Sequence, residues 1–377
     1  MNKVVLIPDS FKGTMSSMEI CDIMENAIKK HFPSIQIIKI PVADGGEGSV
    51  DCFLTALGGN KINVVVNNPY FEKINSYYGM IGDTAIIEMS AAAGLPLIDK
   101  LNPLLTSTYG VGELVKDAIN HGVKKVIMGL GGSCTNDCGA GCFCSLGARF
   151  FDSNNKEFVP TGATLSKVKK IDIKELKNTI KDVEFITMCD INNPLYGQNG
   201  ATFTFSEQKG ATEEDMQILE NQVKSFAKIV EKEIDFADTN FAGAGAAGGM
   251  GFGMKAFVNS KIQMGIDTIL EIVDFSAKIK DADLVITGEG RFDSQSFNGK
   301  VVLGVANYTM KQNVPLIAVV GDIADNIDEA YKKGIAAIYS INRVAKDYQI
   351  AKLRAKSDLS LTIDTICRTI KMCKTNN

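Results

Sequence analysis

The chain has 377 residues, and 45% of them are hydrophobic, which is typical of a globular protein with a sizeable core. Because a single hydrophobic core rarely grows beyond about 250–300 residues, this length predicts two domains. The net charge is −4, from 40 basic and 44 acidic side chains, and the basic residues form no stripe. A nucleic-acid partner is therefore not expected.

The N-terminus predicts neither a leader peptide nor a membrane anchor. The apolar run Val4–Ile7 ends at Pro8 and is shorter than the apolar region of a signal peptide. The sequence contains no run that approaches the roughly 20 apolar residues of a membrane span. Nine scattered cysteines, an odd number, argue against a disulfide framework. We therefore expect a cytoplasmic location and no membrane partner.

The first 64 residues predict alternating strands and helices. Val4–Pro8 is predicted as a buried strand, and Ser16–His31 carries apolar residues at helical spacing behind a serine cap. Ile35–Val42 is the second predicted strand. A short helix around Gly48–Leu57 is expected to stop at Gly58, since glycine commonly ends a helix.

From about residue 65 the pattern favours hairpins and a mixed sheet. Two helices are predicted here, Gly112–His121 and Thr212–Lys232, the second with an acidic first turn. The predicted strands are Lys61–Val66, Ile74–Ile81, Thr84–Met89, Lys125–Met128, Cys142–Phe151, Val183–Cys189 and Ala201–Phe205.

The last third returns to strict alternation of strand and helix. The predicted helices are Ile266–Val273, Phe275–Ile279, Lys300–Met310, Ile327–Lys333 and about Leu359–Cys373, and the predicted strands are Leu284–Thr287, Leu316–Val320 and Ala336–Ile341.

Together the two chain ends predict an α/β fold with a doubly wound parallel sheet of five or six strands, of the flavodoxin or Rossmann kind. This domain would comprise residues 1–64 and 265–377. Residues 65–264 would form a second, inserted α/β domain with a mixed sheet. Ligands are expected at the carboxyl ends of the parallel strands, in a cleft between the domains.

Five glycine-rich turns that carry acidic or polar residues follow apolar runs or lie beside them. Such turns point backbone N–H groups at one place, which suits a phosphate, and nearby carboxylates suit Mg²⁺. The turns are Pro8–Gly13, Ala43–Gly48, Gly129–Asp137, Gly243–Gly249 and Thr287–Asp293.

Two of the motifs allow other functions. Gly243–Gly248 satisfies the spacing G-x-G-x-x-G of an NAD(P)-dependent oxidoreductase, but no apolar strand precedes it, so close packing of small residues is the favoured interpretation. A group of four cysteines raises the alternative of a non-catalytic ligand- or metal-binding protein, but buried packing is again the favoured interpretation. This group comprises Cys134, Cys138, Cys142 and Cys144.

Several aspartates lie at or just beyond predicted strand ends, namely Asp9, Asp44, Asp137, Asp190 and Asp293. Any one of them is most often an N-cap or turn residue. Five at the border of one cleft are harder to explain in this way, and Asp190 is the strongest candidate. With only two histidines, acid–base chemistry would fall to Asp, Glu or Lys. Lys12 and Arg291 could neutralise phosphate or carboxylate oxygens.

Seven motifs follow one another in order along the chain: Pro8-Asp-Ser-Phe-Lys-Gly13, Ala43-Asp-Gly-Gly-Glu-Gly48, Leu130-Gly-Gly-Ser-Cys-Thr-Asn-Asp137, Cys189-Asp-Ile-Asn-Asn-Pro-Leu195, Gln208-Lys-Gly-Ala-Thr212, Gly243-Ala-Gly-Ala-Ala-Gly-Gly249 and Ile286-Thr-Gly-Glu-Gly-Arg-Phe-Asp-Ser-Gln295. Taken together, these motifs resemble the bacterial type I glycerate kinase family, from residue 3 to about residue 345. The chain has Cys134, Cys138 and Ser294 where that family more often has Ala, Gly and Gly.

The resemblance implies two α/β domains and an ATP- and Mg²⁺-dependent phosphorylation of D-glycerate, commonly on the 2-hydroxyl, as part of organic acid catabolism. On physical grounds Asp190, Lys12 and Asp44 are the candidate catalytic residues. Asp44 and Asp190 are candidate Mg²⁺ ligands, assisted by Asp9. Assembly into a homodimer is left open. The candidate residues that bind substrate or phosphate are Asp9, Ser10, Gly13, Gly131, Gly132, Ser133, Asn136, Gly288, Glu289, Gly290 and Arg291.

Overall fold

The computed structural model describes residues 1–42, 46, 48–293, 296, 301–324 and 327–375, and of residues 374 and 375 it describes the backbone. Two compact units are present. Unit 1 comprises Met1–Ala43, Thr55–Leu57 and Ile266–Asn377, and unit 2 comprises Asp44–Leu54 and Gly58–Gly265.

The described strands are, in chain order, β1 Lys3–Pro8, β2 Gln36–Lys39, β3 Asn60–Asn67, β4 Lys73–Ile81, β5 Thr84–Glu88, β6 Lys125–Gly129, β7 Arg149–Phe151, β8 Glu157–Phe158, β9 Lys170–Asp172, β10 Glu184–Met188, β11 Lys261–Gln263, β12 Leu284–Gly288, β13 Arg291–Phe292, β14 Leu316–Val320, β15 Asp322–Ile323 and β16 Ile335–Ser340.

The described α-helices are α1 Ser17–His31, α2 Ser49–Leu57, α3 Ser90–Ala93, α4 Tyr109–Asn120, α5 Ala140–Ser145, α6 Lys174–Thr179, α7 Ala201–Phe205, α8 Glu213–Ile234, α9 Ala246–Val258, α10 Gly265–Ile272, α11 Phe275–Ile279, α12 Val301–Lys311, α13 Asp328–Lys332 and α14 Tyr348–Thr375. Short 3₁₀ turns lie at Leu95–Leu97, Leu165–Lys167 and Glu207–Lys209. Of the helices that the structure describes, none has the length and apolar character of a membrane-crossing segment.

Unit 1 contains a five-stranded sheet in the order β16-β14-β12-β1-β2, and all of its described pairings are parallel. The four residues Val4–Ile7 of β1 are all fully buried, as expected for a strand with both faces covered. Helices α1 and α14 share one core with β1, in which Ile20 and Leu359 are buried. The predicted doubly wound parallel sheet is therefore confirmed.

Unit 2 contains a six-stranded mixed sheet in the order β11-β10-β6-β5-β4-β3. The pairs of β5, β6, β10 and β11 are parallel, whereas β3–β4 and β4–β5 are antiparallel hairpins. The predicted mixed sheet is thus confirmed. A small antiparallel sheet in the order β8-β7-β9 lies in the same unit.

Two segments that are predicted as strands from their sequence are instead helical, at least in part. Ala201–Phe205 is the helix α7, although Thr and Phe favour strands. Gly200 begins this helix, and Ala201 and Thr202 are buried, so tertiary packing overrides local propensity. Similarly, Ala140–Ser145 is the helix α5, and only Arg149–Phe151 of the predicted strand Cys142–Phe151 is extended.

The first turn of α2 is stabilised by a carboxylate from the neighbouring strand β5. Glu88 is 1% exposed, and its Oε1 accepts a hydrogen bond from the Val50 backbone N–H at 2.7 Å. Burial raises the pKa of the Glu88 carboxyl, and the hydrogen bonds from the Val50 and Gly48 N–H groups partly oppose that rise. Glu88 therefore satisfies N–H groups that the start of a helix leaves unpaired.

We predict that Glu88→Gln flattens the pH dependence of stability. A carboxyl whose pKa is raised by folding binds more protons in the folded state, so the free energy of unfolding falls as pH rises from the ordinary value of 4.5 through the raised pKa. Glutamine keeps an acceptor for Val50 but does not titrate. Denaturant unfolding across this pH range would measure the slope, with the exposed Glu175→Gln as control. An unchanged slope in Glu88→Gln would contradict the prediction.

Candidate active site

In unit 1, two of the predicted turns leave adjacent parallel strands at the same edge of the sheet. Pro8 of β1 pairs with Gly288 of β12, and the Asp9 N–H donates to the Gly288 carbonyl at 2.8 Å. Gly288 admits no side chain, since a Cβ there would lie 2.1 Å from the Val319 carbonyl oxygen. The structure therefore places Asp9 beside the segment that contains Gly288, Glu289 and Gly290.

The turn after β1 is a tight loop that presents Lys12 and Gly13. Phe11 and Met15 exchange backbone hydrogen bonds of 2.9 and 3.0 Å, and Gly13 between them has a φ of 72°. Lys12 is exposed, and its backbone nitrogen is 3.6 Å from the position that a Cβ on Gly290 would occupy. Lys12 and the glycine turn after β12 are thus neighbours in unit 1.

Helix α1 begins just after this loop, and a capping box satisfies two of the N–H groups at its start, those of Ser16 and Glu19. The Ser16 hydroxyl accepts from the Glu19 N–H at 3.2 Å, and the Glu19 carboxylate accepts from the Ser16 N–H at 2.9 Å. This capping box uses N–H groups that an anion would otherwise bind. Within the loop, the Phe11 N–H donates to the Met15 carbonyl, and the Ser10 N–H donates to the Asp9 carboxylate at 2.6 Å. Any anion at this loop would therefore depend mainly on the Lys12 side chain.

The turn after β12 combines a buried acid with an exposed base. Glu289 is 5% exposed, and its carbonyl accepts from the Gly321 N–H at 3.1 Å. Arg291 is largely exposed, with its Nε 3.6 Å from a carboxylate oxygen of Asp293. Hydrogen bonds to the loop after β14 thus hold the backbone of this turn, whereas the Arg291 guanidinium faces solvent.

In unit 2, the turn after β6 carries Gly131, Gly132, Ser133 and Asn136. The Gly132 carbonyl accepts from the Leu95 N–H at 3.0 Å, and Gly132 has a φ of 75°. Gly132 is exposed, Gly131 is partly exposed, and Ser133 is only 6% exposed. The loop therefore opens to solvent at its glycines, with Ser133 just beneath.

Asp137 anchors this loop and is not available to a ligand. Its carboxylate accepts hydrogen bonds from the N–H and the hydroxyl of Thr108, at 2.8 and 2.9 Å, and from the N–H groups of Gly139 and Gly141. Burial raises its pKa, and these four donors oppose the rise. Asp137 is thus a buried turn residue, the ordinary role of an aspartate at this kind of position.

A residue without an assigned role in the sequence analysis, Lys209, lies behind the same loop. Its side chain is 2% exposed, and its Nζ donates to the Ser133 hydroxyl at 3.0 Å and to the Thr135 carbonyl at 2.8 Å. Burial lowers the pKa of Lys209 to about 8. The motif Gln208-Lys-Gly-Ala-Thr212 could have drawn attention to this lysine, but its burial depends on tertiary packing.

Asp190 follows β10 at the carboxyl edge of the unit 2 sheet. Asp190 is exposed, and its Oδ1 accepts a hydrogen bond from the Gly265 N–H at 2.7 Å. Gly265 is the last residue of unit 2. Cys189 before it is buried, and burial raises the pKa of its thiol to about 11. The strands β6 and β10 are parallel neighbours, so Asp190 leaves the same edge of the sheet as the Ser133 loop.

The turn Gly243–Gly249 packs against protein backbone. A Cβ at Gly248 would lie 2.1 Å from the Thr135 carbonyl oxygen, and one at Gly245 would lie 2.3 Å from the Pro194 carbonyl oxygen. The Gly248 carbonyl accepts from the Cys138 N–H at 3.0 Å. The glycines thus allow this segment to pack closely against the Ser133–Asp137 loop. This is the packing role that the sequence favours over a dinucleotide site.

The cysteine group belongs to the core around α5. Cys134, Cys138 and Cys142 are fully buried, and burial raises the pKa of each thiol, that of Cys134 to about 12. Within the described ranges, no cluster of three or more His, Cys, Asp or Glu residues has the arrangement of a metal site.

The candidate catalytic residue and Mg²⁺ ligand Asp44 lies outside the described residues.

The whole chain resembles proteins of one family. Residues 4–371 match the glycerate kinase family. A glycerate kinase of Bacillus subtilis is 41% identical over 377 residues, with 99% of each chain covered, and a glycerate 2-kinase of Escherichia coli is 40% identical with 90% of each chain covered.

A solved structure shares the fold as well as the sequence. The crystal structure of the Salmonella typhimurium LT2 protein assigned as glycerate kinase 2 superimposes with a TM-score of 0.88 at 35% identity, and 99% of each chain is covered. These matches show that the chain belongs to the glycerate kinase family of enzymes.

Proposed function

We propose that this enzyme transfers the terminal phosphoryl group of ATP to D-glycerate, with 2-phosphoglycerate as the favoured product. The observation that carries the proposal is the family match over residues 4–371. The relative from Escherichia coli is named glycerate 2-kinase, which favours the 2-hydroxyl as the acceptor. A cytoplasmic location is part of the proposal, because ATP is supplied there.

Each unit contributes groups suited to anionic oxygens. In unit 1, Lys12, with Gly13 beside it, and the turn Gly288–Arg291 would bind one anionic group, either a phosphate or the glycerate carboxylate. In unit 2, Gly131, Gly132, Ser133 and Asn136 would bind another. Because phosphoryl transfer depends mainly on positioning and charge neutralisation, loops of this kind can supply most of the acceleration.

The acids fit a magnesium-dependent reaction. Mg²⁺ in kinase sites uses one or two carboxylates together with substrate phosphates, so a cluster of three protein ligands is not required. The exposed Asp190 carboxylate and Asp9 offer oxygen ligands of the right kind, and Asp44 is the further candidate ligand. When bound, the ion would neutralise negative charge on the phosphates.

Asp190 is the candidate group for the acceptor hydroxyl. Its carboxylate is exposed at the sheet edge, and the hydrogen bond from the Gly265 N–H holds one of its oxygens. In this position it would orient the attacking hydroxyl of glycerate and accept its proton. The base need not be strongly perturbed, because the reaction requires little proton abstraction before the transition state.

The proposed function is tested by supplying ATP, Mg²⁺ and D-glycerate and coupling the product to enolase. Enolase consumes 2-phosphoglycerate directly, whereas 3-phosphoglycerate requires an added mutase. We expect a signal without mutase and a weaker one with L-glycerate. A signal that depends on the mutase would contradict the choice of the 2-hydroxyl, and the absence of ATP consumption under either condition would contradict the activity.

We predict that Asp190→Asn lowers kcat by at least about 100-fold. Asparagine keeps an oxygen that can accept from Gly265 but cannot take a proton, so the variant separates the chemical role from the structural one. Asp152→Asn is the matched control, because Asp152 also accepts backbone N–H groups at an exposed turn. Near-normal turnover in Asp190→Asn would remove Asp190 from the mechanism.

We also predict that Lys12→Met raises the KM for ATP or for D-glycerate by roughly 10–100-fold, the loss expected for one hydrogen bond to a charged group. The substrate affected would identify which anion the unit 1 loop binds. Lys30→Met, on an exposed position of α1, is the control. Both KM values and kcat would have to stay unchanged in Lys12→Met to overturn this assignment.

A further inference from the structure

The Lys209 ammonium lies in an environment that normally excludes charge. Lys209 is the last residue of the 3₁₀ turn Glu207–Lys209, and the next residue, Gly210, has a φ of 89°. A Cβ at Gly210 would lie 2.6 Å from the Leu101 carbonyl oxygen, so the chain direction here is tightly constrained. A buried lysine is costly unless its charge is compensated, and such a residue therefore requires a physical explanation.

The described protein groups compensate this charge only in part. Lys209 donates two hydrogen bonds, to Ser133 and Thr135, and within the described ranges it makes no ion pair with a carboxylate. The charge of Asp137 favours the charged form of Lys209, but the four hydrogen bonds that its carboxylate accepts come from other groups. Among the described residues, one N–H of the ammonium group therefore has no acceptor, and the positive charge has no paired carboxylate.

The loop in front of Lys209 likewise has more donors than acceptors. Because the Ser133 oxygen accepts from Lys209, its hydroxyl hydrogen points elsewhere, and it meets no acceptor in the described part of the chain. The Asn136 Nδ2 and the Thr135 hydroxyl are fully buried and also have no hydrogen-bond partner among the described residues. An excess of donors around one positive charge is the pattern that binds an anion.

We propose that Lys209 is a positioning residue that turns the Ser133 hydroxyl into a donor for an anionic oxygen of the substrates, a phosphate or a carboxylate. The ammonium group donates a hydrogen bond to the serine oxygen from the buried side of the loop. The hydroxyl hydrogen is thereby directed toward the exposed glycines of the loop. It also supplies the positive charge that the bound anion neutralises. This inference rests on the proposed kinase function and identifies how the unit 2 loop would recognise its ligand.

The test measures binding and not turnover. Calorimetric titrations with ATP and, separately, with D-glycerate would compare the native enzyme with Ser133→Ala, Lys209→Met and the double variant. We expect each single variant to lower the affinity for the same ligand by about tenfold or more. The double variant should lose less affinity than the sum of the two single losses, because part of the effect of Lys209 passes through the Ser133 hydroxyl. The ligand that is weakened identifies the source of the anion.

The dependence on pH distinguishes a charge from a packing role. Burial sets the pKa of Lys209 at about 8, so its charge is largely present at pH 7 and lost at pH 9. The titratable groups that act on it are Asp137 and the Cys134 thiol, whose pKa of about 12 lies outside this range. Affinity of the native enzyme should fall across this range, whereas that of Lys209→Met should not.

If Lys209→Met does not fold, Ser133→Ala and the pH profile of the native enzyme decide alone, with the buried Ser145→Ala as the matched control. Unchanged affinity of Ser133→Ala for both ligands would overturn the inference. If the native enzyme fails to phosphorylate D-glycerate while both variants still weaken ATP, the proposed function is wrong and this anion site remains.

Discussion

Parallel pairing of the strands is the constraint on which the rest of this structure depends. Because parallel strands end at one edge of a sheet, every loop after such a strand emerges on the same side. In unit 1 this brings the loop of Lys12 next to the turn of Glu289, with Pro8 paired to Gly288. In unit 2 it brings Asp190 to the same edge as the Ser133 loop, with Met188 paired to Gly129.

Close backbone approach is the second condition for the unit 2 loop. The Gly243–Gly249 segment supports Thr135–Cys138 at distances that no side chain would allow, with Gly248 almost against the Thr135 carbonyl. Ala247 also has a φ of 52°, a strained value for a residue with a Cβ. Strain of this kind persists where the surrounding structure imposes it, here at the non-helical start of α9 (Ala247–Gly249), which packs against the loop after β6.

The polar core of unit 2 distributes two buried charges differently. Asp137 is neutralised locally by four hydrogen-bond donors and serves to fix the loop. Among the described residues, Lys209 has two neutral acceptors, Ser133 and Thr135, and no paired carboxylate. This asymmetry explains how a loop of mostly neutral residues would bind an anion without an exposed lysine. Under the proposal made above, the aspartate has a structural role and the lysine a functional one, within the same small region.

The sequence by itself determined the strand–helix alternation, the fold class and the family, because hydrophobic periodicity and the turn motifs are local and lie in order along the chain. The long helix α8 and its Thr212 cap were predicted for the same reason. Tertiary structure alone decided that Ala201–Phe205 is helical, that Asp137 is an internal anchor and that Lys209 is buried behind Ser133. These outcomes depend on which distant residues enclose a side chain, and burial of that kind leaves no periodic pattern in the neighbouring sequence.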